Sequence, residues 1–309
     1  MNKIGDLDVF PLCLGGNVFG WTAGKERSFE ILDAYAAAGG NFIDTSDSYM
    51  ASAPGNSGGE SETIIGEWTQ SRGNRDDMVI ATKVGKHPKR EGLAPDNIKA
   101  AADDSLRRLR TDRIDLYYTH FDDPSVPVGE IMTAMDELVT AGKVRQIAVS
   151  NIELDRLEAS LEFSEREGTA RYVAIQPHYN LVSRDTYEGP RRDIAERHGL
   201  AALPYYGLAS GFLTGKYRPG SDVDSVRSGK AARHLETERG RNVLAALDIV
   251  AEEQGVAVAT AALAWLAAQP TVVAPIASAR TLDQLPPLIE VARTTLTGAQ
   301  LARLTEASA

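Results

Sequence analysis

Asp44, Tyr49, Lys83 and His120 are the side chains of this 309-residue sequence whose types and spacing could do chemistry. Tyr49 comes five residues after Asp44 in Asn41-Phe42-Ile43-Asp44-Thr45-Ser46-Asp47-Ser48-Tyr49. Lys83 closes Val79-Ile80-Ala81-Thr82-Lys83, and His120 closes Asp115-Leu116-Tyr117-Tyr118-Thr119-His120. A phenol brought beside an ammonium and an imidazole makes a proton-donating site. Taken singly, each residue also has a plainer reading. Asp44 at a strand end could cap a helix. Tyr49 could be a passive loop residue and His120 a structural hydrogen-bonder. Lys83 could form a Schiff base.

Asp44, Lys83 and His120 each end a short apolar run, and runs of that length read as buried strands. Such runs recur at residues 11–14, 41–43, 78–81, 114–118, 144–149, 172–175, 200–203 and 272–276. Most are separated by stretches of helical period. In 28–35, Phe29, Leu32 and Tyr35 share one stripe, and Gly39-Gly40 stops it. Residues 61–68, 97–109, 131–138, 154–163, 193–198 and 282–291 behave likewise. Strand after helix after strand predicts parallel pairing through right-handed crossovers. Eight such units in 309 residues predict an α/β fold of the (β/α)8 TIM-barrel type, which keeps its chemistry at the C-terminal strand ends.

The spacing supports this arithmetic. From Asp44 to Lys83 is 39 residues, then 37 to His120, 30 to Ser150, 26 to Gln176 and 29 to Tyr205. A doubly wound fold would want Gly-x-Gly-x-x-Gly after the first strand, and Gly15-Gly16-Asn17-Val18-Phe19-Gly20 does not match it. Residues 4–9 predict a short hairpin over the bottom of the barrel. Composition gives no boundary, so residues 1–309 are expected to form a single domain. The segment 207–241, after strand 7, is far longer than a usual barrel loop. It carries seven Lys/Arg against four Asp/Glu, a local net of +3 in a chain of net −10. A second irregular loop, 50–59, is expected to overhang the top face.

Bulk composition narrows the partners. The net charge of −10 argues against nucleic acid or an anionic membrane surface. No run of about 18 uninterrupted apolar residues occurs, so no membrane span is expected. The first residues do not resemble a secretory signal. Cys13 is the only cysteine, which excludes an intramolecular disulfide and makes a cytoplasmic home the simplest expectation. The histidines at 87, 120, 178, 198 and 234 show no metal-ligand spacing, and no metal is expected.

Taken together, the strand-end motifs resemble the aldo-keto reductase family across essentially the whole chain. The matching pieces are Asp44-Thr45 with Tyr49, Thr82-Lys83, His120 with Asp123-Pro124, and Val149-Ser150-Asn151. Gln176 with Tyr179-Asn180, Leu213-Thr214-Gly215-Lys216-Tyr217, and Arg280 with Gln284-Leu285 complete the set. The resemblance implies a barrel that binds extended NADP(H) across its C-terminal face and reduces small-molecule carbonyls. An unperturbed tyrosine titrates near ~10, and an adjacent ammonium would lower that value. Tyr49 would be the proton donor, Lys83 its tuner, Asp44 the counter-ion and His120 the group that orients the carbonyl oxygen.

The same resemblance implies the cofactor contacts. Ser150, Asn151 and Gln176 would hold the carboxamide, and Tyr205 would stack on the nicotinamide ring. The loop bearing Leu208, Ser210, Lys216 and Arg218 would lie over the pyrophosphate. Ser278 and Arg280 would meet the 2′-phosphate, with Gln284 on the adenine side. The chain departs from the family pattern at Ser278, where glycine is common, and in Leu285-Pro286-Pro287-Leu288 after Gln284. It also has Tyr206-Gly207-Leu208 where Ser-Pro-Leu is usual.

Three functions stay open on these residues. The first is an NADPH-dependent carbonyl reductase. The second is an NADP(H)-binding regulatory protein with little turnover, and the third a Schiff-base lyase using Lys83. Trp21, Phe19 and Met50 are the expected pocket wall, and sugars, aldehydes, ketones and quinones all remain possible substrates.

Overall fold

A computed structural model of the chain describes residues 1–218 and 228–309. The chain starts with an antiparallel hairpin, β1 (Asn2–Ile4) and β2 (Leu7–Val9), as the sequence predicts. The first half of the alternation follows as β3 (Cys13–Gly15), α1 (Lys25–Ala37), β4 (Phe42–Asp44), α2 (Glu60–Arg72) and β5 (Val79–Val84). A two-rung hairpin, β6 (Lys86–His87) with β7 (Arg90–Glu91), precedes α3 (Pro95–Leu109). Then come β8 (Ile114–Thr119), α4 (Val128–Thr140), β9 (Val144–Ser150), α5 (Leu154–Glu167), β10 (Tyr172–Gln176), α6 (Pro190–Arg197) and β11 (Ala201–Ala202). The chain ends with α7 (Ser228–Glu236), α8 (Glu238–Gln254), α9 (Val258–Ala267), β12 (Ile276–Ala277), α10 (Pro286–Ile289) and α11 (Gly298–Ala307).

The eight-stranded parallel sheet has the order β11-β10-β9-β8-β5-β4-β3-β12. The edge strand β11 meets the stretch leading into β12 through a parallel bridge between Ala202 and Val272. Ala202 N donates to Thr271 O at 2.8 Å and Ile276 N to Pro204 O at 2.9 Å, which curls the sheet into the (β/α)8 barrel. Ile4 and Leu7 of the hairpin pack with Phe42, Leu116 and Leu203 in the apolar lumen. The larger core lies between strands and helices, around Trp68, Trp265 and Tyr35.

Tyr35 illustrates how a helix sets a strand that carries function. Its buried hydroxyl lies 2.7 Å from Leu12 O and 3.0 Å from Phe42 O, tying α1 to the entries of β3 and β4. A side chain at Gly40 would collide with the Tyr35 ring, so glycine is required there. The register Gly15↔Asp44↔Ala81 and Lys83↔Tyr118 then brings Asp44 and Lys83 to neighbouring strand ends.

The sequence expectations need three corrections. Much of 207–241 is helical: a short 3-10 turn (Ala209–Thr214) is followed by α7 and the start of α8, while 219–227 lie outside the described residues. Residues 282–291 are not one helix but Leu282–Gln284, α10 and Glu290–Arg293 in succession. Pro286 and Pro287 carry no N–H and restrict the residue before them, so a helix from 282 cannot propagate through them. The helix expected at 193–198 begins earlier, with Pro190 in its first turn. Among the described residues no single helix is long and apolar enough to cross a membrane.

Candidate active site

Lys83 is wholly buried, and its ammonium is fully used. Nζ donates to Asp44 Oδ1 at 2.7 Å and Oδ2 at 2.8 Å, to Thr45 O at 2.6 Å and to Tyr49 Oη at 2.7 Å. Tyr49 Oη in turn donates to Asp44 Oδ2 at 2.7 Å, and Gln176 Nε2 donates to Asp44 Oδ1 at 2.9 Å. A carboxylate buried beside a buried ammonium is costly unless both are paired and bonded, and here both are. The loop after Tyr49 is pinned as well. Asn56 Nδ2 donates to Gly20 O at 3.1 Å, and Glu60 accepts from the Ser57 and Gly58 amides.

Electrostatics depart from the sequence expectation at Tyr49. Burial, and then the Asp44 carboxylate beside it, push the phenol well above its ordinary value. The negative charge that holds Lys83 also opposes the phenolate, so the resting hydroxyl is firmly protonated. Burial lowers Lys83, with Asp44 pulling the other way. His120 is pushed well below the usual imidazole range by burial and by Lys83 and Lys86, so its ring is neutral. The His120 and Tyr49 rings meet edge-on with centroids 6.1 Å apart.

Ser150, Asn151, Gln176 and Tyr205 form one hydrogen-bonded row beside this cluster. Ser150 Oγ donates to Gln176 O at 2.9 Å. Asn151 Nδ2 donates to His120 O at 3.0 Å and to Ser150 Oγ at 2.9 Å, and Tyr205 Oη donates to Asn151 Oδ1 at 2.9 Å. Asn151 has φ of 49°, a left-handed conformation that asparagine tolerates better than most residues. The sequence did not single out His178, which stacks on Tyr205 with centroids 5.4 Å apart and an interplanar angle of 16°.

A cavity of about 620 Å³ joins these groups to the loops after β11 and β12. Asp44, Tyr49, His120, Ser150, Asn151, Gln176, Tyr205, Leu208, Ser210, Lys216, Ser278, Arg280 and Gln284 all line it. Arg218 does not: its guanidinium is clamped by Asp248 at 2.6 and 2.9 Å and by Gly215 O at 2.8 Å. Trp21 lines the cavity as expected, but Phe19 is core and Met50 is off the wall. Thr214, within the loop expected over the pyrophosphate, lines it too, and Asn17 and Asp283 line it without having been anticipated. Ser278 Oγ donates to Asn17 Oδ1 at 2.6 Å, and Gln284 Oε1 accepts from the Arg280 amide at 2.9 Å.

Arg280 and Lys216 are cations on this wall with no carboxylate partner among the described residues; Lys216 rests on the Tyr217 ring at 5.1 Å. Asp283 shares the wall and forms no ion pair with either. The neighbouring turn is strained, with positive φ at Ala209 (47°) and Ser210 (59°), as backbone at ligand sites often is. Unpaired cations beside such a turn suit an anionic ligand.

Comparison with known proteins shows the family to which the chain belongs. Residues 11–309 match the model of the aldo/keto reductase family. The chain is 34% identical over 306 residues to norsolorinic acid reductase B of Aspergillus parasiticus, covering 92% of this chain and 77% of that protein. It is 32% identical to an aryl-alcohol dehydrogenase [NADP(+)] of Phanerodontia chrysosporium, covering 90% and 77%. It is 31% identical to Protein tas of Escherichia coli, covering 92% and 90%. This chain belongs to the aldo/keto reductase family.

Proposed function

We propose that this protein is a cytoplasmic NADPH-dependent oxidoreductase that reduces aldehyde or ketone carbonyls to alcohols, with Tyr49 as proton donor. One observation carries the reading. The Tyr49 hydroxyl, 2.7 Å from both Lys83 and Asp44, stands on the wall of a cavity that also presents Arg280 and Lys216 without carboxylate partners among the described residues. The aryl-alcohol dehydrogenase relative, named as NADP(+)-linked, supports the choice of cofactor.

NADPH, when bound, supplies the hydride. Arg280 and Ser278 would hold its 2′-phosphate, and Lys216, Leu208 and Ser210 its pyrophosphate side. Ser150, Asn151 and Gln176 would hold the carboxamide by exchanging their mutual hydrogen bonds, Tyr205 would back the ring, and Gln284 would lie toward the adenine. His120 orients the carbonyl oxygen. The Tyr49 proton, parked on Asp44, turns into the cavity and passes to the alkoxide oxygen. Lys83 then faces the phenolate and stabilises it. Positioned proton transfer of this kind contributes about 10²–10⁴-fold.

The Schiff-base alternative loses support because the Lys83 ammonium is buried and engaged by Asp44, Thr45 and Tyr49. The test is consumption of NADPH by purified protein against a carbonyl panel. Saturable, carbonyl-dependent oxidation is expected. Tight NADPH binding without turnover of any carbonyl would favour the regulatory reading instead.

A further inference from the structure

Ser46 Oγ occupies a junction behind His120. It lies 3.3 Å from His120 Nδ1, 3.2 Å from Asp47 Oδ1 and 3.0 Å from Ser48 Oγ, and it accepts the Ser48 amide at 3.2 Å. A hydroxyl has one hydrogen to give. Ser46 can therefore donate to His120, to Asp47 or to Ser48, but to only one of them. The neutral imidazole has one N–H, and its position is fixed by the hydrogen bond the other nitrogen makes.

We propose that Ser46 and Asp47 act as positioning residues that decide which nitrogen of His120 carries the proton, and so whether the cavity favours a carbonyl or its alcohol. When Asp47 is neutral, its O–H donates to Ser46 and the Ser46 hydrogen turns to Nδ1. The His120 proton then sits on Nε2, ready to donate to a carbonyl oxygen. When Asp47 is ionised, its carboxylate draws the Ser46 hydrogen. Nδ1–H must then donate to Ser46, and Nε2 becomes an acceptor that suits an alcohol hydroxyl. The Asp47 O–H bond breaks and its proton goes to solvent; on His120 the Nε2–H bond breaks and an Nδ1–H bond forms, so the ring keeps one proton, and no other bond changes.

The surroundings put this change near neutrality. Asp47 is buried, and its Oδ2 has no hydrogen-bond partner among the described residues. Burial and the facing Glu62 carboxylate of α2 push it up to about 7, against Ser46, Ser48 and Arg108 of α3. Lys83 and Tyr117 also feel its charge from β5 and β8. His120 faces Lys83, Lys86 and Tyr49, and its neutral ring stays neutral over the same range. Only the tautomer is left to vary.

The carbonyl-versus-alcohol half rests on the proposed reductase function; the tautomer half does not. The test is nitrogen-15 NMR of the histidine-labelled chain, with His120 assigned through His120→Gln. Wild type is expected to move from Nε2–H at about pH 6 to Nδ1–H at about pH 8. Asp47→Asn should hold Nε2–H throughout. Ser46→Ala should lose the pH dependence, and Ser46→Thr, which keeps the hydroxyl, should restore it. In steady-state reduction, the wild-type KM for carbonyl should rise about tenfold across that range with a smaller change in kcat, and Asp47→Asn should stay flat. A single wild-type tautomer throughout, or variants that titrate like wild type, overturns the proposal. A tautomer that moves as stated in a protein that turns over no carbonyl upholds the positioning and removes the reductase reading.

Discussion

Around Asp44 the charges of the cavity are already spent on one another, whereas after β11 and β12 they are not. Lys83 bonds Asp44, Thr45 and Tyr49, and Gln176 adds a fourth side chain to the cluster. On the other wall, Arg280 and Lys216 have no carboxylate partner among the described residues, and the turn at Ala209 and Ser210 is strained. The first region is preorganised, so its geometry need not change much when substrate arrives. The second leaves its cations without carboxylate partners among the described residues. On the proposed function the first wall serves chemistry and the second affinity, and substitutions should separate kcat from Kd along that line.

Breaking the paired cluster should have the largest effect. Lys83→Met leaves Asp44 as a buried carboxylate without its ammonium, which typically costs ~3–5 kcal/mol. Activity should collapse and Tm should fall. The double variant Lys83→Met/Asp44→Asn should regain much of the stability and none of the activity. A double variant no more stable than the single one would show that the pair is not coupled.

The same buried region should make stability depend on pH. Asp47 binds its proton more tightly folded than unfolded, since its value rises from 3.8 to about 7. Its contribution is fully present below the unfolded value and is lost as pH rises through the folded one. Stability should therefore fall between about pH 4 and 7, by a few kcal/mol at roughly 1.4 kcal/mol per unit. Asp47→Asn should remove that slope in denaturant titrations at several pH values. Parallel curves for the two proteins would refute the assignment.

At the cation wall the effects should be smaller and selective. Arg280→Ala should weaken NADPH by about one to two decades and NADH little, because one charge-assisted contact contributes roughly 1.5–3 kcal/mol. The difference should shrink at high salt. Equal losses for the two cofactors would mean that Arg280 contacts something they share. Arg218→Ala should have the least effect, within about threefold in NADPH affinity, because Asp248 already holds that guanidinium off the cavity. A loss equal to that of Arg280→Ala would return Arg218 to the ligand.

The division between the two walls also explains what the sequence revealed. Asp44, Lys83 and His120 end apolar runs, and strands position their ends through a regular ladder, so residue type and spacing were enough. The pairing of Arg218 was not legible because its partner, Asp248, sits 30 residues away on α8. Nothing in the sequence marks Ser46 and Asp47, since only the fold brings His120 to them. α9 carries no amphipathic signal because Val258–Ala267 is apolar almost all round and shows no stripe. α11 does carry a local sign in the sequence: Thr297 and Gln300 form a capping box.

Tyr49 is the centre of the proposed chemistry. The most direct test is single-turnover carbonyl reduction by Tyr49→Phe loaded with NADPH, with NADPH affinity measured on the same preparation. The substitution removes one hydroxyl, leaves the ring in place and does not touch Arg280 or Lys216. The rate should fall by at least about 10²-fold while the NADPH Kd stays near wild type. A wild-type rate in Tyr49→Phe would contradict the assignment of Tyr49 as the proton donor.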